Sequence, residues 1–353
     1  MRSISVKVGK PLSEAIKIIE DQPYRMAVVV DFNERVVGTI TDGDVRRFFL
    51  DHRNLDGSIG DVMNSNPILL NESFGDRENK RVLKENNIEA APVVSENGIF
   101  VDVCAQSDLN DTSLKIEKID NIQAAVIMAG GEGKRLRPLT ETMPKPLLKI
   151  GKKTILEHSI EHLASIGVKK IFLAVNYLAD LIEKEIGDGH DYGLSVEYLR
   201  EPKKLGTAGA LSLINEELLG PIIVMNGDVM TDLDFRNFEE FHLVENAKIT
   251  VAVSEYNLEV PFGVLDIDNG VISGLREKPT EVYFCNAGIY LMEPELLRLI
   301  PKDTFFDMTD LIQLCLDNDY KLVPFPIHEY WSDLGTPKEL EDARKLMAER
   351  SNG

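Results

Sequence analysis

The apolar positions of this chain gather in short uninterrupted runs with amphipathic stretches between them. Ala124-Ala125-Val126-Ile127-Met128 is one such run, and Lys170 to Val175 and Pro221 to Met225 are others. Runs this short and this apolar read as buried strands. Leu194 to Tyr198 alternates apolar and polar positions and reads as a strand with one wet face. Ile155 to Ile166, closed by Gly167, has helical spacing, as does Leu178 to Ile186, and a further helix starts near Thr207. From Ile122 onward, strand and helix signals therefore alternate. That order predicts an α/β fold, a Rossmann-like and mostly parallel sheet with helices on both faces.

Ahead of Ile122 the pattern repeats. Arg25 to Asp44 matches Glu89 to Asp108 without a gap, so that Val29-Val30 falls on Val93-Val94 and Val36-Val37 on Phe100-Val101. Upstream, Ile18-Ile19 falls on Val82-Leu83. Each copy reads as helix, strand, turn, strand, helix, and leaves an apolar sheet face that the other copy can cover. Asn110 to Asn121 is polar with few large apolar groups, as linkers are. The expected organisation is a front unit over 1–115, a linker at 116–121 and a second unit over 122–353.

Charge narrows the possible partners. The 353 residues include 39 basic and 59 acidic ones, a net charge of -20. That balance excludes nucleic acid as the expected partner. Any polyanionic substrate must be gripped by local cations, against the field of the whole molecule. No apolar stretch follows Met1-Arg2 and none approaches membrane-spanning length, so no membrane partner is expected. Cys104, Cys285 and Cys315 are scattered without metal spacing and fit reduced thiols in a cytoplasmic protein.

The candidate chemistry begins where the run Ala124 to Met128 ends. It passes into Ala129-Gly130-Gly131-Glu132-Gly133-Lys134-Arg135-Leu136-Arg137-Pro138-Leu139-Thr140, with Pro144-Lys145-Pro146 behind. Glycines let backbone amides crowd an anion, and the arginines and lysines supply countercharge. The loop is neither a Walker A motif, because Arg135 follows Lys134, nor a dinucleotide fingerprint, because Leu136 stands at the third glycine position. Asp228 follows the run Ile222 to Met225, and Asp333 lies beside the single tryptophan, Trp331. Two carboxylates far apart in sequence can share one Mg²⁺ whose other ligands are substrate phosphates. The bland alternative for Asp228 is a turn aspartate. His158-x-x-Glu161-His162 has the spacing of a helical zinc site, but its helix directly follows the Pro-Lys-Pro loop, which already explains its place.

The glycine loop with its Pro-Lys-Pro resembles the signature of the sugar-phosphate nucleotidyltransferases, the nucleotide-sugar pyrophosphorylases. The resemblance implies a GT-A-like nucleotidyltransferase domain and a set of roles. Arg135 would grip the β- and γ-phosphates, Lys145 would lie by the α-phosphate and the attacking phosphate, and Asp228 and Asp333 would hold Mg²⁺. The nucleotide would also meet Ala129, Gly130, Gly131 and Gly133, together with Glu201, Gly206 and Thr207 of Glu201-Pro202-x-x-Leu205-Gly206-Thr207-Ala208-Gly209. The sugar 1-phosphate would meet Gly263, Glu277, Lys278 and Asn286. The front unit resembles a tandem CBS pair, in which Thr41-x-x-Asp44 looks like an adenosine-ligand motif. For Asp44 the competing reading is a helix N-cap. The second copy departs from the pattern, with Ala105 in place of Thr41 and Asp102 in place of Gly38, while Asp108 is retained. One adenine nucleotide, or none, is therefore expected there.

A CBS pair ahead of this transferase resembles bacterial glucosamine-1-phosphate guanylyltransferases that supply legionaminic-acid-type sugars. GTP and glucosamine 1-phosphate are accordingly the favoured substrates. Mannose-1-phosphate guanylyltransferase and glucose-1-phosphate thymidylyltransferase are the alternatives within the class. Outside it stands an adenine-nucleotide-sensing regulatory subunit with an inactive transferase domain. CBS pairs often self-associate, so a homo-oligomer is expected.

Overall fold

The computed structural model describes residues 4–352 except 23, 53, 54, 56, 75, 87, 106–120, 123 and 269. It divides into two compact units, Met1–Lys115 and Ile116–Gly353. Most of the expected linker and the closing helix of the second repeat fall at 106–120, outside the described residues.

The second unit is built on a seven-stranded sheet. Its order is Ser195–Arg200, Lys170–Val175, Ala124–Met128, Ile222–Asn226, Thr280–Met292, Ile249–Glu259 and Leu322–Pro326. Thr280–Met292 is antiparallel to both of its neighbours, and every other pairing in the sheet is parallel. The mostly parallel sheet expected from the alternating runs is what forms. Its centre is apolar on both faces: Ala124 to Ile127 and Ile171 to Val175 are all fully enclosed. Burying each Val or Ile side chain in such a core stabilises by about 1.5–3 kcal/mol.

Helix Ile155–Ser165 starts where the Thr154 hydroxyl accepts from the Glu157 amide and the Glu157 carboxylate accepts from the Thr154 amide. It ends before Gly167, at φ 106°. Helix Ala179–Ile186 lies one residue inside its expected start, because Leu178 is left-handed at φ 51°. The helix expected from Thr207 is shorter than its sequence promises: four residues, Gly206–Gly209, tighten into a 3₁₀ turn over Ala210–Leu213.

The first unit holds the repeat at the level of individual hydrogen-bonded rungs. Strands Ser5–Lys7, Met26–Val30 and Val36–Thr41 form one three-stranded sheet, and Leu70–Asn71, Ala90–Val94 and Phe100–Ala105 form another. Val6 pairs Val29 as Leu70 pairs Val93, and Met26 pairs Thr41 as Ala90 pairs Ala105. Even the ladder irregularity recurs, between Val29 and Val30 in one copy and between Val93 and Val94 in the other. The copies bury one another as expected: Met26, Val28 and Val30 of the first pack with Val103 of the second. Arg35 bridges to Ile99, and the Phe100 amide donates to the Glu34 carbonyl.

Candidate active site

Four parallel strands end along one edge of the large sheet, and several of the expected site residues lie just past them. The glycine loop follows Met128, Asn176 and Tyr177 follow Val175, Glu201 follows Arg200, and Asp228 comes two residues after Asn226. The outer ends of parallel strands are where ligands of open α/β sheets bind.

The loop is held in shape from inside. Gly133 takes φ 60°, and a β-carbon there would stand 2.9 Å from the Thr140 side chain. Thr140 is fully buried and donates its hydroxyl to the Gly133 carbonyl at 2.8 Å. Arg135 and Lys145 then converge on one cavity of about 200 Å³. Its walls include Gly131, Gly133, Gly227, Asp228 and Gly335.

Asp228 and Asp333 meet through a two-stranded ribbon. Val229–Thr231 pairs antiparallel with Trp331–Asp333, with Val229 opposite Asp333, and the Leu334 amide donates to the Asp228 carbonyl at 3.0 Å. The Trp331 indole N–H donates to the Ala287 carbonyl at 2.9 Å and ties the ribbon to the large sheet. The Lys145 amine, almost wholly buried, reaches Asp228 Oδ2 at 2.5 Å and Asp333 Oδ1 at 3.6 Å. The longer contact is an ion pair and not a hydrogen bond, so Asp333 Oδ1 is a buried oxygen with no donor. Burial, and next the charge of Asp228, raise the Asp333 carboxyl above its ordinary range. Lys145 and Arg135 pull the other way. The guanidinium of Arg135 lies against Gly335, where a β-carbon would come within 3.1 Å of three of its atoms.

Two neighbouring carboxylates, one with an oxygen that accepts no hydrogen bond, are a hard-oxygen donor set that suits a hard divalent cation. No group of three or more metal-ligating side chains occurs among the described residues, so the other ligands of such an ion would have to be substrate or water.

The other expected contacts group differently. Glu201 Oε2 accepts from the Leu205 amide at 2.8 Å, and its Oε1 faces Gly130, where a β-carbon would stand 2.8 Å away. Burial raises its carboxyl. Ala129, one residue before Gly130, donates its amide to the Ala174 carbonyl at 2.8 Å. Gly206, at φ 84°, and Thr207 are pinned to the start of helix Met308–Asp317. The Thr207 amide donates to Asp307 Oδ1 at 2.8 Å, and its hydroxyl accepts from the Met308 amide at 2.9 Å. The Thr207 hydroxyl is thus spent inside the protein. Gly263 abuts the Glu277 carboxylate, and Lys278 takes φ 45°. Neither these residues nor Asn286 line the Arg135 cavity. Asn286 bonds the Tyr290 hydroxyl and the Gly288 amide, and Gly288 presses on Asn226, two residues before Asp228.

In the first unit the Asp44 carboxylate accepts from the Thr41 amide at 2.8 Å and from its hydroxyl at 2.7 Å, and pairs with Arg47. Thr41 precedes helix Asp42–His52 and accepts from the Asp44 amide at 3.3 Å, so Thr41 is the cap and Asp44, expected as the N-cap, closes the capping box from inside the first turn. His158 bonds the Ile150 carbonyl, Glu161 pairs with Lys153, and His162 lies edge-on to Phe235 with its pKa lowered by burial. These side chains border a second cavity of about 470 Å³, and they do not converge as ligands.

A family profile described as nucleotidyl transferase matches residues 124–350. The chain belongs to the nucleotidyl transferase family. A CBS domain profile matches residues 1–51, the first copy of the repeat. A mannose-1-phosphate guanyltransferase of Yarrowia lipolytica is 37% identical over 223 residues, 61% of each chain. The catalytic subunit beta of the mannose-1-phosphate guanylyltransferase of Drosophila melanogaster is 34% identical over 63% of this nucleotidyl transferase family member and 62% of its own length. Matches to the first curated relatives thus span about 61% of those proteins' length. Among solved structures, HddC from Yersinia pseudotuberculosis superposes with a TM-score of 0.52 at 27% identity, over 64% of this chain and all of that one.

Tyr177 is the residue that sequence patterns missed. It bonds both ends of the glycine loop, yet in the run Val175-Asn176-Tyr177-Leu178 it reads as an ordinary helix approach.

Proposed function

We propose that this chain is a sugar-1-phosphate nucleotidyltransferase, which moves a nucleoside monophosphate from a nucleoside triphosphate to a sugar 1-phosphate. The observation that carries this reading is the buried Lys145 amine set between Asp228 and Asp333 at the mouth of the glycine loop, with Arg135 on the same cavity. In the reaction a phosphate oxygen of the sugar 1-phosphate forms a bond to the α-phosphorus. The bond from that phosphorus to the bridging oxygen breaks, and pyrophosphate leaves with the electron pair. No enzyme nucleophile is needed, so the task is alignment and charge neutralisation.

Each side chain has a part in that task. The loop amides and Arg135 hold the β- and γ-phosphates and steady the leaving group. Lys145 neutralises charge between the α-phosphate and the incoming phosphate. Asp228 and Asp333 would hold Mg²⁺, which when bound supplies charge neutralisation on the phosphate oxygens. On the sugar side, Glu277 and Asn286 would bond hydroxyls and Lys278 would pair with the phosphate.

GTP is the favoured nucleotide. A carboxylate is purely an acceptor, and Glu201 beside Gly130 suits the paired N–H donors on the edge of guanine. Glucosamine 1-phosphate is our first sugar, because of the CBS domain in front. Mannose 1-phosphate is the second reading, favoured by the names of the relatives.

Pyrophosphate release over four nucleoside triphosphates and several sugar 1-phosphates, with Mg²⁺ present, tests the reading. Turnover with GTP is expected, and Asp228→Ala is expected to lower it by on the order of 10³-fold with the fold intact. Silence across the whole panel would favour the regulatory-subunit alternative.

A further inference from the structure

We propose that Tyr177 is a positioning residue for the triphosphate loop: it fastens both ends of the loop to the sheet edge without touching substrate. The role rests on the reading of 129–140 as the phosphate-binding element. Three bonds carry it. The Tyr177 amide donates to the Gly130 carbonyl at 3.4 Å, at the start of the loop. Its phenol oxygen lies 3.0 Å from the Glu141 carbonyl and 3.2 Å from the Thr140 carbonyl, at the end. One hydroxyl proton is shared between those two acceptors, which therefore compete for a single donor.

The anchor itself is rigid. Tyr177 leaves a strand whose residues Ile171 to Val175 are fully enclosed. Asn176, one residue earlier, donates to the Glu201 carbonyl at 3.1 Å, on the side where the base is proposed to bind. Consecutive residues of one strand end thus tie the base side to the phosphate side. The loop's own backbone ties are local, since it has three glycines, its one helical piece, Lys134–Leu136, is three residues long, and bonds such as the Leu136 amide to the Gly133 carbonyl and the Leu139 amide to the Leu136 carbonyl span three residues. A loop left free would lose that freedom each time a triphosphate bound, at the expense of affinity. Thr140 closes the loop on itself through Gly133, and Tyr177 fixes the closed loop to the sheet edge.

Tyr177→Phe removes the hydroxyl and keeps the ring, so it tests the tie without opening a cavity. We expect amide exchange over 130–141 to accelerate while strand Ala124–Met128 stays protected. We expect KM for the nucleoside triphosphate to rise about three- to tenfold, with KM for the sugar 1-phosphate unchanged. A uniform loss of stability would instead speed exchange in the strands and scale activity without splitting the two KM values. That outcome overturns the proposal, as does a variant with wild-type exchange or wild-type kinetics. If the wild-type chain turns over no substrate pair, the proposed function falls, and the positioning role with it. If the wild type is active and the variant matches it, only the role of Tyr177 falls.

Discussion

Glu201 sits half-buried past its strand with one oxygen held by the Leu205 amide, and burial pushes its carboxyl above the usual range. The Leu205 amide and Lys204 oppose that shift. Two consequences follow, with opposite signs. Guanine requires the ionised form, so KM for GTP is expected to rise as pH falls through the raised pKa, above the ordinary glutamate value. For folding, a carboxyl with a raised folded-state pKa adds stability below its unfolded pKa and loses it as pH rises through the folded one. Glu201→Gln is therefore expected to raise the melting temperature of the ligand-free chain at neutral pH. The same variant is expected to reduce preference for GTP over other triphosphates by roughly 10- to 100-fold. A selectivity panel beside a melting curve checks both. A variant that melts higher and keeps its GTP preference would remove Glu201 from base recognition.

At the scale of elements, the glycine loop meets the segment that follows the acid-bearing ribbon where Arg135 lies on Gly335. A methyl group there would stand 3.1 Å from the guanidinium, tighter than an ordinary contact, and would push it by a few tenths of an ångström. Gly335→Ala is thus expected to lower kcat by about tenfold with little change in melting temperature, because alignment is what such a shift spoils. Steady-state kinetics beside a thermal melt reads that out. Four strands of the large sheet were legible, because runs such as Ala124 to Met128 and Ile171 to Val175 are unbroken and apolar, whereas Ile249–Glu259, Thr280–Met292 and Leu322–Pro326 were not read from the sequence. The ribbon was not: Val229–Thr231 and Trp331–Asp333 are three residues each and find one another across a long stretch of chain. The meeting of Asp228 with Asp333 was therefore available only through resemblance to a known family, as was the role of Arg135. The helix after Thr207 came out short because Gly206 and Thr207 are drawn to the Asp307 cap, a partner no local pattern signals. Glu277 and Lys278, read from a Glu-Lys-Pro triplet, lie on an exposed turn away from the Arg135 cavity.

For the whole molecule, a CBS domain stands ahead of a transferase, and no described helix is long and apolar enough to cross a membrane. Asp44 spends its carboxylate on Thr41 and Arg47, so a nucleotide ribose must compete with a helix cap already made. We expect the full chain to bind AMP with one site, and Asp44→Ala to lose that binding, with calorimetry as the measurement. Heat from two equivalent sites would contradict the reading of Ala105 as a lost ligand position. The two copies in the front unit also carry history. A skipped rung at Val29/Val30 and again at Val93/Val94 is an idiosyncrasy that two unrelated hairpins would not share. It marks the two hairpins as copies of one segment, alike in backbone pairing and different at one corner, where Thr41 stands in the first and Ala105 in the second.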